Sequence, residues 1–431
     1  MGGMLETLRN AWKIPDLRRK ILFTVAMLIV FRIGSFIPVP GLDPHALEEL
    51  VKKGGSLFGF MDIVSGGAFK SATIFAMSIT PYINSSIIMQ LLTVAIPRLE
   101  RLAKEGEEGR KIIAQYTRYG TVVLGFLQAV GLYFGLKYAI VGGVNIVTFL
   151  TITLTFTAGT AFLMWLGEQI TEFGIGNGIS LLIFAGIVSR GPAGVVALNT
   201  AYVNAQSKGT GLLAVIAIIA IVVVFVGIIA AVIWVQQAER RIPVQYAKRV
   251  VGRKVYGGQS THIPIKVNLA GVIPIIFAMS IMAFPSTIIS FIAPNSTNPV
   301  VTFFRNAQGG IGYALIYALL VMFFTFFYTV IVFNPIELAN NMKKNGGFIP
   351  GIRPGKPTSD YIAKVLNRIT WFGALFLAVI TILPSILQQF TGMNNVWFGG
   401  TAVLILVGVA LDTVKQIESQ MLMRHYKGFL E

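Results

Sequence analysis

Long apolar runs alternate with charged connections along the chain. A membrane-spanning helix needs about 20 mostly apolar residues, and ten segments approach that length. Arg190 interrupts the fifth segment, and Arg32 lies inside the first. The pattern therefore predicts an all-α polytopic membrane protein. The predicted spans lie at 21–37, 72–96, 119–136, 146–166, 179–196, 212–235, 269–292, 311–333, 369–390 and 396–411.

The composition points to the same class. Of 431 residues, 55% are hydrophobic and 12% are charged, and the mean hydropathy is +0.73. Soluble domains carry about 25% charged residues, so a conventional water-soluble enzyme is excluded. The chain has no cysteine, and its three histidines are too far apart in sequence to show metal-ligand spacing.

The basic residues indicate how the chain is oriented. If the connections alternate between the two sides, 27 of the 35 Lys and Arg residues lie on the side of both termini. The positive-inside rule places that side in the cytoplasm. We therefore expect residues 1–20 to form a cytoplasmic N-terminal segment and residues 412–431 a cytoplasmic tail.

Loop lengths suggest an internal duplication. The long connection after the first span is external, whereas the corresponding one after the sixth span is internal. An inverted repeat of five plus five helices has this property, although any odd-numbered half repeated in tandem would share it. The halves would be residues 21–196 and 212–411, joined by 197–211.

The motifs of common membrane enzymes and pumps are absent from the sequence. No phosphate-binding Gly-x-x-x-x-Gly-Lys loop is present. The carboxylates Glu168, Glu172, Glu337 and Asp412 fall at span ends, whereas ion-coupled carriers commonly use carboxylates inside the membrane. An ion-coupled secondary transporter for a small solute remains the alternative to a channel.

Three loops have unusual composition. Residues 56–64 are apolar between glycine pairs, which predicts either a short helix folded into a cavity or a re-entrant segment with a packing role. Loop 236–267 is strongly basic, and its alternating residues predict a β-hairpin that turns at Gly252. Loop 334–368 is also basic, and Pro354 is expected to hold Arg353 extended. These basic loops fit either an acidic partner or simple topogenic charge and anionic lipid.

Isoleucines recur beside small or polar residues within the spans. Ile79 and Ile83 are four residues apart, as are Ile179 and Ile183, so each pair shares one helical face. Lipid contact is the ordinary explanation for such residues. An inward-facing apolar ring would instead form a constriction that excludes water.

Several long motifs resemble the SecY family of translocon channel subunits. They include VFRIGSFIPVPG at 30–41, SIIMQLL at 86–92, MWLGEQIT at 164–171, GIGNGIS at 174–180 and GIRPG at 351–355. The resemblance implies two pseudo-symmetric inverted halves, spans 1–5 and 6–10, around a central hourglass pore. It also implies a plug at about 57–67 that closes the external side.

Site residues follow from the same resemblance. The plug would contain Leu57, Phe58, Phe60, Met61, Ile63 and Val64. The pore ring would be Ile79, Ile83, Ile179, Ile183, Ile276 and Ile405. The polar cluster of the lateral gate would be Asn84, Gln128 and Asn268. Docking of SecA or the ribosome would use Arg240, Arg241, Lys248, Arg249, Arg253, Lys254 and Arg353.

The expected function is that of a protein-conducting channel in the bacterial cytoplasmic membrane. Unfolded secretory polypeptides would cross it, and membrane segments would leave it sideways into lipid. The expected partners are SecE, SecG, the SecA ATPase, the ribosome, precursors with signal sequences and anionic lipids. No cofactor, metal, catalytic residue or direct DNA binding is expected, because the energy would come from the partners.

Overall fold

A computed structural model gives the fold of the chain. It describes residues 9, 11–53, 62, 65–207, 211–246, 249–251, 254–256, 260–292, 311–391 and 400–427. Helices overlap all ten predicted spans. In chain order they are α1 (Pro15–Gly34), α2 (Pro44–Lys53), α3 (Thr80–Ala95), α4 (Pro97–Lys104), α5 (Glu107–Gly135), α6 (Ile146–Phe173), α7 (Gly178–Ser189), α8 (Gly191–Ser207), α9 (Gly211–Gln237), α10 (Ile273–Ile292), α11 (Ile311–Val332), α12 (Pro335–Lys344), α13 (Lys356–Thr391) and α14 (Gly400–Lys427).

The outer surface of these helices is apolar. Val223, Leu319 and Val330 each expose about two thirds of their accessible surface, at 64%, 65% and 67%. Large apolar side chains are exposed along most of the long helices, and so extensive an apolar surface is typical of a protein surrounded by lipid. Within the part of the chain that the structure describes, five segments are long and apolar enough to cross a membrane by length and composition alone: Ile146–Phe173, Gly178–Val196, Val215–Gln237, Gly312–Lys344 and Lys356–Leu383. The predicted class of polytopic membrane protein is confirmed.

The second span is shorter than its apolar run. The sequence predicts a helix from residue 72, but α3 begins at Thr80 and residues 65–79 form turns. Ala72 and Ser78 have positive φ values of 51° and 54°, which no α-helix permits. Apolar residues before α3 are buried against protein rather than lipid, so their hydropathy does not report a span. They are Ala68, Phe69, Ala72, Phe75, Ala76 and Met77.

The fifth span is two helices. Asn177 caps the N-terminus of α7 by accepting a hydrogen bond from the Ser180 backbone N–H, and Arg190 caps its C-terminus. The helix α8 then begins with Gly191 and Pro192, where a proline needs no intrahelical donor. Because α8 runs to Ser207, the predicted connection at 197–211 is largely helical.

The two basic loops join in one small sheet. Strand β1 (Glu239–Tyr246) pairs antiparallel with β4 (Ser260–Lys266) along its length. The prediction of antiparallel strands in loop 236–267 is confirmed, but the long strand β1 pairs with β4 and not with the strand that follows residue 252. Two short strands, β2 (Arg249–Val251) and β3 (Lys254–Tyr256), flank residues 252–253 and form a separate hairpin. Strand β5 (Gly347–Phe348) of loop 334–368 pairs with the end of β1.

An apolar layer attaches this sheet to the helices. Val244 and Ile265 of the sheet are fully buried against Ile362 at the start of α13 and Met342 of α12. Inward and outward positions alternate along β1, as expected for a sheet with one covered face. Glu239 and Arg241 lie on the uncovered face, whereas Arg240 follows the register of the covered face and is exposed near the end of the strand.

Candidate functional site

Six isoleucines lie in one apolar cluster at the centre of the helices. Three of them, Ile79, Ile183 and Ile405, are at most 6% exposed. The other three are half-buried and pack against the same cluster: Ile83, Ile179 and Ile276. The six residues come from α7, α10, α14 and the start of α3, which belong to both predicted halves. All six side chains therefore pack against one cluster of protein side chains.

Close helix packing fixes the position of α7 in this cluster. A Cβ atom added to Gly178 would lie 1.9 Å from the backbone oxygen of Gly167 in α6. A Cβ atom at Gly167 would lie 3.1 Å from Cγ1 of Ile179. Glycine at position 178 is therefore required for this close approach of the two backbones, whereas a Cβ at Gly167 would press on the Ile179 side chain. This contact sets where Ile179 and Ile183 enter the cluster.

The candidate gate lies between α3 and α5 on one side and α10 on the other. Both helices contact α10, and Ile87 of α3 shares a buried cluster with Ile275 and Ala278 of α10. The described helices are therefore closed against each other at this point.

The three predicted gate residues are placed around that contact but are not bonded to each other. Asn84 and Gln128 are half-buried, and Asn268 is 7% exposed. The Asn268 side chain donates from Nδ2 to the Gly271 carbonyl at 3.1 Å. Its Oδ1 is buried without a hydrogen-bond partner. Among the described residues no hydrogen bond links the three side chains.

The basic residues assigned to docking lie on the sheet and the adjoining loop. Arg240 and Arg241 are exposed on β1, and Arg241 is paired with Glu239 at 2.7 Å. Arg353 is exposed, and its carbonyl accepts a hydrogen bond from Oγ1 of Thr358 at 2.8 Å. Strands β2 and β3 contain Arg249 and Lys254. Lys248 and Arg253 lie outside the described residues.

A groove of about 660 Å³ opens between the connection that contains α4 and the helix α12. Lys104, Arg110 and Lys344 line it together with the single acid Glu337. The two predicted halves thus face each other across a polar surface at this end, whereas their contact deeper in the helices is apolar.

The six predicted plug residues, Leu57, Phe58, Phe60, Met61, Ile63 and Val64, lie outside the described residues. Neighbouring described residues form a polar network of Arg32, Asp62, Gly66, Ser189 and Arg190, called the external polar network because the sequence predicts this side to be external. Oδ2 of Asp62 lies 3.0 Å from Nη2 of Arg190. The Gly66 carbonyl accepts from Nη1 of Arg32 at 3.4 Å and from Oγ of Ser189 at 3.2 Å.

Sequence reasoning did not identify this network, nor a second ion pair between Arg118 and Glu168 at 2.8 Å. The signal was available, because Arg32 and Arg190 interrupt apolar runs. A charge within a span usually has a partner, but hydropathy does not reveal which residue it is.

Comparison with known proteins decides the family. Residues 73–414 match the SecY family model. The chain belongs to the SecY family. It is 50% identical to a protein translocase subunit SecY of Halalkalibacterium halodurans, over 99% of this chain and all of that one. It is 49% identical to the SecY subunit of Thermotoga maritima, over 99% of this chain and 98% of that one.

Solved structures share the fold. A protein-conducting channel matches with a TM-score of 0.67 and 18% identity, over 94% of this chain and 92% of that one. A SecY protein whose plug domain was studied gives a TM-score of 0.66, also at 18% identity, with the same coverage. The idle yeast Ssh1 complex bound to the 80S ribosome matches with a TM-score of 0.59 and 16% identity, over 91% of this chain and 88% of that one. This chain therefore has the SecY channel fold, and it is a translocase subunit of a membrane rather than an enzyme.

Proposed function

We propose that this chain forms a pore through which unfolded secretory polypeptides cross the bacterial cytoplasmic membrane. Membrane segments leave the same pore sideways into lipid. The observation that carries the proposal is that six isoleucines from both halves belong to one apolar cluster: Ile79, Ile83, Ile179, Ile183, Ile276 and Ile405. A solute carrier would instead need polar groups at that point to bind its substrate.

An isoleucine ring suits this task for a physical reason. Its side chains make no directional hydrogen bonds, so the ring accepts polypeptides of any sequence. A narrow apolar constriction also loses its water and becomes a barrier to ions. The ring therefore seals the membrane when it is empty and when it surrounds a chain.

The contact of α3 and α5 with α10 is proposed as the lateral gate. The buried Oδ1 of Asn268 has no partner, and an unpaired buried acceptor costs about 1–3 kcal/mol. This cost lowers the energy needed to separate the helices. An apolar signal sequence in the opening then partitions into lipid, because burial of apolar surface is favourable by about 25 cal/mol per Å².

The exposed cations of the sheet and of Arg353 are proposed as the docking surface for SecA or the ribosome. SecE and SecG are proposed as accessory subunits, and anionic lipids as neighbours of the cytoplasmic cations. Both termini lie in the cytoplasm, as the distribution of Lys and Arg favours. The free energy for transport comes from the docked partner.

Residues 57–67 are proposed as the plug. Two observations support the placement. The residues that follow this segment lead directly into Ile79, and Ala68 packs in the same cluster as the ring. A plug joined to the chain at Ala68 would be well placed to close the external side of the ring.

The test uses proteoliposomes that contain this chain with its accessory subunits and SecA. We expect ATP-dependent protection of an unfolded precursor from added protease, and no uptake of radiolabelled amino acids, sugars or ions above that of empty vesicles. A matched preparation with Arg353→Glu controls for passive leakage of precursor. Uptake of a small solute down an ion gradient, without precursor protection, would establish the transporter instead.

A further inference from the structure

The external polar network contains an ion pair whose two side chains differ in burial and in their other hydrogen bonds. The Asp62 side chain is 1% exposed, and the Arg190 side chain is 23% exposed. Oδ1 of Asp62 also accepts a hydrogen bond from the Lys70 backbone N–H at 3.0 Å. Nη1 of Arg190 is buried without a partner. The Asp62 carboxylate is therefore the group that neutralises the Arg190 guanidinium, and the guanidinium in turn neutralises the carboxylate.

The pair links two segments that carry ring residues. Arg190 and Ser189 end α7, the helix that bears Ile179 and Ile183. Asp62 and Gly66 belong to the loop that leads to Ile79. This loop lies directly against α7, because a Cβ atom at Gly66 would come within 2.8 Å of the Gly186 Cα.

The ring cannot widen on this side while the network is intact. Movement of the loop away from α7 separates Asp62 from Arg190 and removes both donors from the Gly66 carbonyl. Breaking a buried pair leaves a charge in a poorly solvated place, which is costly. The network therefore favours the closed arrangement.

We propose that the Asp62–Arg190 ion pair sets the free energy that a signal sequence must supply before the channel opens, and thereby determines selectivity for signal-bearing precursors. This inference rests on the proposed function, because it assigns a threshold to that channel. It concerns only described residues of the loop and of the α7–α8 junction.

The unequal burial predicts an order of effects. Arg190→Gln leaves the fully buried carboxylate unpaired, whereas Asp62→Asn leaves a cation that is partly exposed. The single change at Arg190 should therefore weaken the closed state more. Changing both residues removes both charges, which is commonly milder than removing one partner. The double variant should lie closer to the unchanged protein than Arg190→Gln does.

The experiment measures import of two precursors into proteoliposomes that hold the complete translocase with SecA. One precursor has an intact signal sequence, and the other has a charge in the apolar core of its signal. We expect Arg190→Gln to raise import of the defective precursor about tenfold, the change produced by a loss of about 1.4 kcal/mol in closed-state preference. Asp62→Asn should raise it less, and Arg190→Lys should remain near the starting level.

Matched controls remove charges elsewhere at the same end of the helices. Asp43 accepts a hydrogen bond from the His45 backbone at 2.9 Å, and Lys137 lies 5.0 Å from the centre of the Phe134 ring. Asp43→Asn and Lys137→Gln leave the network intact and should not change the import of either precursor. Import of the intact precursor by every variant shows that the chain is folded.

The possible outcomes distinguish the role of the ion pair from the proposed channel function. Unchanged import of the defective precursor in both single variants, with normal import of the intact one, would overturn the role of the ion pair and leave the channel function standing. A double variant equal to the sum of the singles would also overturn it, since paired groups are non-additive. Failure of the unchanged protein to import either precursor would overturn both.

Discussion

The proposed isoleucine ring leads to a quantitative prediction about ion leakage. Ile83 and Ile276 are the best targets, because they are half-buried at the edge of the cluster rather than fully enclosed in it. Replacing both with serine removes apolar contact and introduces two hydroxyl groups. We expect ions to cross the resting channel at a higher rate, because a polar constriction retains its water.

The magnitude follows from the burial of the two side chains. Full burial of an isoleucine is worth about 1.5–3 kcal/mol, so half-burial of each contributes roughly 1 kcal/mol. Loss of both lowers the preference for the closed, dry state by about 2 kcal/mol. Because each 1.4 kcal/mol changes an equilibrium ratio tenfold, the resting conductance in planar bilayers should rise roughly thirtyfold.

A substitution in the same cluster but outside the ring serves as the control. Ile170 of α6 is fully buried there, and Ile170→Ser should lower the free energy of unfolding by about 2–5 kcal/mol with little change in conductance. Equal leakage from Ile170→Ser and from the double ring variant would refute the reasoning. Unchanged conductance of the double variant, Ile83→Ser with Ile276→Ser, would also refute it.

Four further predictions concern docking, the plug, helix packing and the gate. Arg353→Glu should reduce SecA-driven import at least tenfold with little effect on insertion of a single membrane span; equal loss of both activities would point to misfolding. Deletion of residues 57–65 should raise import of a signal-defective precursor, and unchanged selectivity would argue against a plug there. Gly178→Ala should lower the unfolding temperature in detergent, since its Cβ would lie 1.9 Å from the Gly167 oxygen, and an unaltered temperature would contradict that close approach. Asn268→Leu removes the unpaired Oδ1 but also the hydrogen bond to the Gly271 carbonyl, so it should stabilise the closed gate by about 1 kcal/mol and weakly apolar signal sequences should insert less; better insertion of those signals would disprove the assignment.

The length of the apolar runs predicted most of the helices. It failed where apolar residues are buried inside the protein and do not face lipid. A run such as 146–166 must form a helix, because lipid offers no partners to a free backbone. Residues 72–79 are equally apolar but lie within the protein, where turns are permitted because other groups satisfy the backbone. Hydropathy cannot separate these two environments.

The candidate site was predictable to different degrees. The six ring positions came from motif resemblance, and their convergence depends on contacts between segments more than 300 residues apart. Alternation indicated strands in loop 236–267 but not that β1 pairs with β4, because pairing is decided by distant sequence. Arg190 was visible as a charge within an apolar run, but its partner Asp62 could not be identified for the same reason.

The union of the two basic loops through β1 and β5 has a mechanical consequence. Hydrogen bonds among β4, β1 and β5 join both loops, and the edge strand β4 ends at Lys266, a few residues before α10 begins at Ile273. A partner bound to either loop would therefore pull on the helix that carries Ile276. In the proposed channel, force applied at the membrane surface would reach the pore ring through one short connection.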